Sequence, residues 1–198
     1  MRALDALYEA HKIAFSPFVF ETAYTMLELG VLEAINEKKQ GITIEEIATK
    51  TNVSEYGVRV LVEMTESADM VKLEENGSYT ITKTGYFILR DEMTRVNLYF
   101  THEVCYNGLF YLKDSIVNGK AEGLKALGDW KTIYEGLSQL TPDQKKAWFD
   151  FDHFYSDNSF DDALEIIFQH HPKQIFDIGG NTGKWAIAST KYNPDVKV

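Results

Sequence analysis

The chain has 198 residues with 44% hydrophobic and 13% aromatic content, ample for one large or two small packed domains and too much for a disordered segment. Thirty acidic against twenty basic residues give a formal charge of −10, which repels nucleic acid and anionic membrane surfaces at long range. A lone cysteine, Cys105, excludes an internal disulfide; the start lacks a signal-peptide core and no apolar run reaches the roughly 18 residues that span a bilayer, so a soluble cytoplasmic protein is expected.

Residues 2–14 and 17–38 are predicted as helices, the second opening at Pro17, whose fixed φ suits a first helical turn. Phe18, Phe20, Met26, Leu29, Leu32 and Ile35, with others between them, occupy more than one face of that helix. One core-facing stripe cannot bury them all; the chain's own later helices or another subunit must cover the remainder, and a homodimer is the preferred reading. Thr43 and Ser54 then cap two short helices, 44–51 and 55–68. Residues 71–82 alternate apolar and polar side chains around Asn76-Gly77, a hairpin signal because both residues accept positive φ. A short helix from Thr84 to Leu89 closes the module.

Two helices followed by a hairpin form a winged-helix pattern, which raises the possibility of DNA binding. The second helix argues against it: Glu55, Glu63, Glu66 and Asp69 oppose the single Arg59, whereas a recognition helix needs several cations for phosphates and bases. Val58, Val60, Leu61 and Val62 read as packing residues, and a dimerisation scaffold is the preferred reading.

Residues 94–171 are predicted to be helical, interrupted at Asn118-Gly119, Gly128 and Thr141-Pro142, and rich in aromatics between Tyr99 and Tyr155 that, as a set, suggest a pocket for a flat organic molecule. Individually each is better read as core. No metal site is expected: His102-Glu103 lacks the second histidine of H-E-x-x-H, since Tyr stands at 106. His153 lies near the candidate pocket, and a packing or surface role is preferred for it over a catalytic one. The chain is thus divided into 1–93, 94–171 and 172–198.

The final segment holds the most informative run, Gln174 to Trp185. Ile175, Phe176 and Ile178 predict a short buried strand that ends at Asp177 and a turn containing Gly179, Gly180, Asn181, Thr182 and Gly183, after which a helix opens near Lys184. Neither G-x-G-x-x-G nor the phosphate-binding G-x-x-x-x-G-K-[ST] fits, because Asn181, Lys184, Ile178 and Trp185 stand at required positions. An ordinary strand-to-helix turn stays open as a structural alternative.

The spacing that does fit, Asp177-x-Gly179-x-x-x-Gly183, resembles the first motif of class I S-adenosylmethionine (SAM)-dependent methyltransferases, with Asn181 where that family usually has glycine. Phe151-Asp-His-Phe-Tyr-Ser-Asp-Asn-Ser159 resembles the Phe-Asn-x-x-Met-Ser-x-x-Ser stretch of the small-molecule O-methyltransferases of the caffeate and hydroxyindole type, with Tyr155 replacing Met. The order of elements is similar along the whole chain.

The resemblance implies a mainly α fold with a small β-hairpin: a winged-helix dimerisation domain, a helical connector, and the first β-α unit of a Rossmann-like α/β methyltransferase domain. It implies SAM as cofactor, held by Asp177, Gly179, Gly180, Asn181, Thr182, Gly183 and Ser159, and a small, aromatic acceptor facing Phe151 and Tyr155. The family's ribose-binding acid and catalytic base would follow residue 198, so no catalytic residue is named, and the chain is expected to be an N-terminal part of a longer enzyme, inactive alone. A non-enzymatic dimeric ligand- or partner-binding module and a winged-helix regulator are the competing readings.

Overall fold

Helix α1 (Ala3–Glu28) runs straight through Pro17, where a boundary between two helices was expected. Proline removes the N–H that would bond the Ile13 carbonyl, but the Ser16 hydroxyl donates to that oxygen at 2.8 Å, so the ladder loses a donor without orphaning its acceptor. The break falls instead at Gly30, whose φ of 70° lets the chain turn into α2 (Val31–Glu37). These elements belong to a computed structural model that describes residues 2–198 and divides them into two compact units, one ending at Phe110 and the other running Tyr111–Val198.

In the first unit, α3 (Ile44–Thr51) begins with a reciprocal cap between Thr43 and Glu46, and α4 (Glu55–Ser67) with the Ser54 hydroxyl accepting from Gly57 N–H. Strands β1 (Val71–Leu73) and β2 (Tyr79–Ile81) pair antiparallel with Val71 opposite Ile81. Their turn differs in detail from the expected two-residue type. Gly77 takes positive φ, but Asn76 does not; its side-chain oxygen accepts from Ser78 N–H and hydroxyl, while Gly77 N–H bonds the Glu74 carbonyl. This is a turn closed by a left-handed glycine bulge.

Helix α5 (Lys83–Arg90) follows, capped by Thr82. Met26, Leu32, Ile35, Ile47, Val58, Val62 and Met70 are fully buried together, so the helices and hairpin share one core. Val60, expected to pack, is 48% exposed, because it falls on the face of α4 opposite Val58 and Val62. The N-terminal half of α1 contributes little to this core: Leu4, Tyr8, Ile13, Phe15 and Phe18 are all more than half exposed.

Helix α6 (Glu92–Phe100) continues into a π-helical turn, Thr101–Cys105, and a 3₁₀ stretch, Tyr106–Tyr111. The π turn aims His102 and Glu103 at α1. The His102 ring lies 3.5 Å from that of Tyr24, nearly parallel to it, and the Tyr24 hydroxyl donates to Glu103 at 2.5 Å. Burial, reinforced by that carboxylate, pushes the Tyr24 phenol well above its ordinary range, so it stays a donor. Burial also raises the Cys105 thiol, which suits a packing group and not a nucleophile.

The second unit is built from α7 (Leu112–Asn118), a 3₁₀ turn (Glu122–Ala126), the short α8 (Ile133–Gly136), α9 (Pro142–Asp157), α10 (Phe160–Phe168) and α11 (Lys184–Tyr192). Gly128 and Gly136 have no room for a Cβ because the Trp130 indole lies against both, so glycine is the residue that fits at either position. Leu164, Phe168 and Val196 form a small core with Ile175 and Trp185 against it.

The buried strand expected at 175–178 does not form. One parallel bridge joins Gln174 to Lys197, and Phe176 and Ile178 are 82% and 96% exposed. A parallel strand needs paired edges and covered faces, and among the described residues only the segment around Lys197 lies beside this one. Among the described residues no helix is long and apolar enough to cross a membrane, and no cluster of side chains suits a metal ion.

Candidate functional site

The glycine turn is shaped by three left-handed residues: Gly179 (φ 80°), Asn181 (φ 45°) and Gly183 (φ 76°). Space for a Cβ is open at Gly179 and Gly183, so backbone conformation is what demands glycine there. At Gly180 the reason is contact: a Cβ would stand 2.5 Å from Oδ2 of Asp177, whose carboxylate folds back over the turn. Gly183 N–H closes the bend on the Gly180 carbonyl at 2.7 Å, and α11 starts at once, its first N–H groups directed at the turn.

Three side chains of α9 hold this turn from one side. Asn181 Nδ2 donates to the Asp152 carboxylate at 2.5 Å, Thr182 Oγ1 meets His153 Nε2 at 3.2 Å, and Lys184 Nζ donates to Asp157 at 2.6 Å. His153 Nδ1 lies 3.3 Å from Asp157 Oδ1, so with Nδ1 protonated the imidazole donates to Asp157 and accepts from the Thr182 hydroxyl. Burial raises the Asp157 carboxyl, but hydrogen bonds from Lys184 and Ser156 outweigh it and leave the group below its ordinary value, ionised at neutral pH.

The remaining expected site residues lie in the same unit. Phe151 and Tyr155 pair with each other, ring centres 4.9 Å apart, and Tyr155 is about half exposed. Ser159 sits at the junction of α9 and α10 with its hydroxyl donating to the Ser156 carbonyl at 2.7 Å. Asp152, Asp157 and Lys184 are partners that sequence reasoning passed over. The only local hint was the helical i, i+4 spacing of His153 and Asp157.

Residues 8–79 match the model of the Dimerisation2-like domain. No curated protein matches the chain significantly by sequence. Solved structures do match. The mitomycin 7-O-methyltransferase MmcR shares 16% identity over 98% of this chain and 57% of its own, with a TM-score of 0.72. Human N-acetylserotonin methyltransferase in complex with SAM shares 16% over 100% and 58%, at 0.68. The O-methyltransferase NcsB1 from neocarzinostatin biosynthesis, in complex with SAM and 2-hydroxy-5-methyl naphthoic acid, shares 15% over 89% and 54%, at 0.67. The chain spans a little over half the length of these structures. Residues 8–79 are thus similar to the Dimerisation2-like domain, and the chain shares the fold of the corresponding part of these solved structures.

Proposed function

We propose that the full-length protein transfers a methyl group from SAM to an oxygen of a small aromatic molecule, and that the turn from Asp177 to Gly183 is its cofactor site. The observation that carries this reading is the geometry of the turn: a half-exposed carboxylate lies over Gly180, flanked by Cβ-free space at Gly179 and Gly183 and by the start of α11. A cationic sulfonium with an ammonium group suits that carboxylate, and the backbone is open enough for a nucleoside to approach. When bound, SAM supplies an activated methyl group. The chain's own residues orient it and shield it: Asp177 fixes the cationic end, Ser159 lies toward the same ligand, and the Phe151–Tyr155 ring pair forms part of an acceptor wall. Structural likeness to MmcR and NcsB1 supports an oxygen as the methyl acceptor.

The test is isothermal titration of the full-length protein with SAM. Saturable binding, one equivalent per protomer, is expected; its absence would remove the proposal.

The first unit serves as a winged-helix dimerisation scaffold in this reading. The bare apolar half of α1 needs a cover, and a second copy of the chain supplies it, in keeping with the domain that residues 8–79 match. Sedimentation equilibrium should report a dimer at micromolar concentration, whereas a monomer would rule this arrangement out.

A further inference from the structure

The departures from the family pattern at positions 152 and 181 meet each other in space. Where the pattern carries asparagine, this chain has Asp152 on α9; where it usually carries glycine, this chain has Asn181 in the turn, and Asn181 Nδ2 donates to the Asp152 carboxylate at 2.5 Å. The two residue types are complementary, and the acid adds a charge that an amide acceptor at 152 would lack. A carboxylate only accepts and the amide nitrogen only donates, so the bond has one polarity and is charge-assisted.

The tie also acts where the backbone is least comfortable. Asn181 holds φ at 45°, a conformation that glycine adopts without penalty and a side-chain-bearing residue does not. A side chain anchored to a regular helix offsets that penalty by favouring the one backbone geometry in which the bond can form. Asp152, His153 and Asp157 lie within an arc of about 140° on α9, counting 100° per residue, so the helix offers the turn a continuous edge. Its contacts run from Asn181 through Thr182 to Lys184, the whole passage from the bend into α11.

We propose that α9 is a positioning element for the glycine turn and that Asp152 is its key residue, replacing by a side-chain tie the backbone freedom lost with glycine at 181. This rests on reading the turn as the SAM site. Asp152 touches neither SAM nor the acceptor in this scheme; it acts through Asn181. Affinity for SAM then falls by the fraction of time the turn leaves its binding geometry.

The experiment is a double-mutant cycle in the full-length protein, Asp152→Ala and Asn181→Gly, read by amide hydrogen exchange over residues 179–184 without ligand and by titration with SAM. Asp152→Ala should accelerate exchange in the turn about tenfold and weaken SAM binding by a similar factor, the range of one charge-assisted hydrogen bond. In the Asn181→Gly background, Asp152→Ala should change neither quantity, because glycine needs no tie. A purely structural contribution of Asp152 to α9 would persist in both backgrounds. Unaltered exchange and affinity in Asp152→Ala, or an equal effect with and without Asn181, would overturn the proposal. The exchange readout stands without SAM, so a wild-type protein that fails to bind SAM yet shows the cycle would defeat the cofactor assignment and leave the tie intact.

Discussion

Gly85→Ala lowers the unfolding free energy of the N-terminal unit by about 3 kcal/mol, a large share of what a domain of this size possesses. In an unobstructed helix the same change is favourable by about 1 kcal/mol, so even the sign of the effect is informative. Gly85 lies in the first turn of α5, its N–H bonded to the Thr82 hydroxyl. An added Cβ would stand 2.1 Å from the Met70 carbonyl oxygen and 2.9 Å from Ile81 Cγ1. The carbonyl cannot withdraw: it accepts from the Thr82 N–H at 3.1 Å, the Thr82 hydroxyl ties the neighbouring Asp69 carbonyl at 2.6 Å, and Met70 is itself fully buried. Helix α5 must therefore lift from the hairpin, exposing Leu89 and loosening the cap that starts it. A urea titration followed by circular dichroism should show the midpoint drop by about 1–2 M, taking a typical denaturant slope for a small domain. An unchanged or raised midpoint would show that α5 is not seated on Met70.

Asp177→Ala weakens SAM binding about 100-fold, and Gly180→Ala weakens it about tenfold, with little change in thermal stability for either. The first removes the charge assigned to the cationic end of the cofactor. The second leaves the charge in place but displaces it, since the new methyl group would occupy the space 2.5 Å from Oδ2 that the carboxylate now covers. Because a carboxylate is the end of a flexible side chain, it can swing away, which is why the Gly180 effect is the smaller. Titration calorimetry on the two variants decides the matter. Equal affinities in wild type and Asp177→Ala would mean that the carboxylate faces something other than the cofactor.

Local signals were legible wherever a residue's chemistry and its structural role coincide within a few positions. Thr43 and Ser54 cap the helices they precede, the interruption read at Thr141-Pro142 is where α9 starts, and Gly183 opens α11 as its spacing suggested. Pro17 misled for the same reason that makes it informative elsewhere. Its rule assumes an orphaned carbonyl, and one neighbouring hydroxyl, Ser16, cancels the assumption. The apolar run 175–178 shows the reverse failure: periodicity records what a segment is suited to pair with, and Phe176 and Ile178 stand bare because pairing is a property of neighbours. In the candidate site the glycines and Asp177 could be found by spacing. Asp152 could not, because its partner Asn181 is 29 residues away and no local pattern records a contact of that length.

The π turn at Thr101–Cys105 carries a constraint on how this protein can change. A π turn holds one residue more than the α-helix would, and that surplus sets the rotation at which His102 and Glu103 emerge toward Tyr24. Deleting a single residue there would let the segment close into plain α-helix, keeping later side chains near their present phase but removing the bulge that turns His102 and Glu103 toward Tyr24. Tyr106, stacked on Phe20 beyond the bulge, would keep its phase while the contacts with Tyr24 are lost. Substitutions in this stretch are graded in their cost, whereas a change of length acts at a stroke on the two side chains the bulge presents, because such a spacer is counted in whole amino acids.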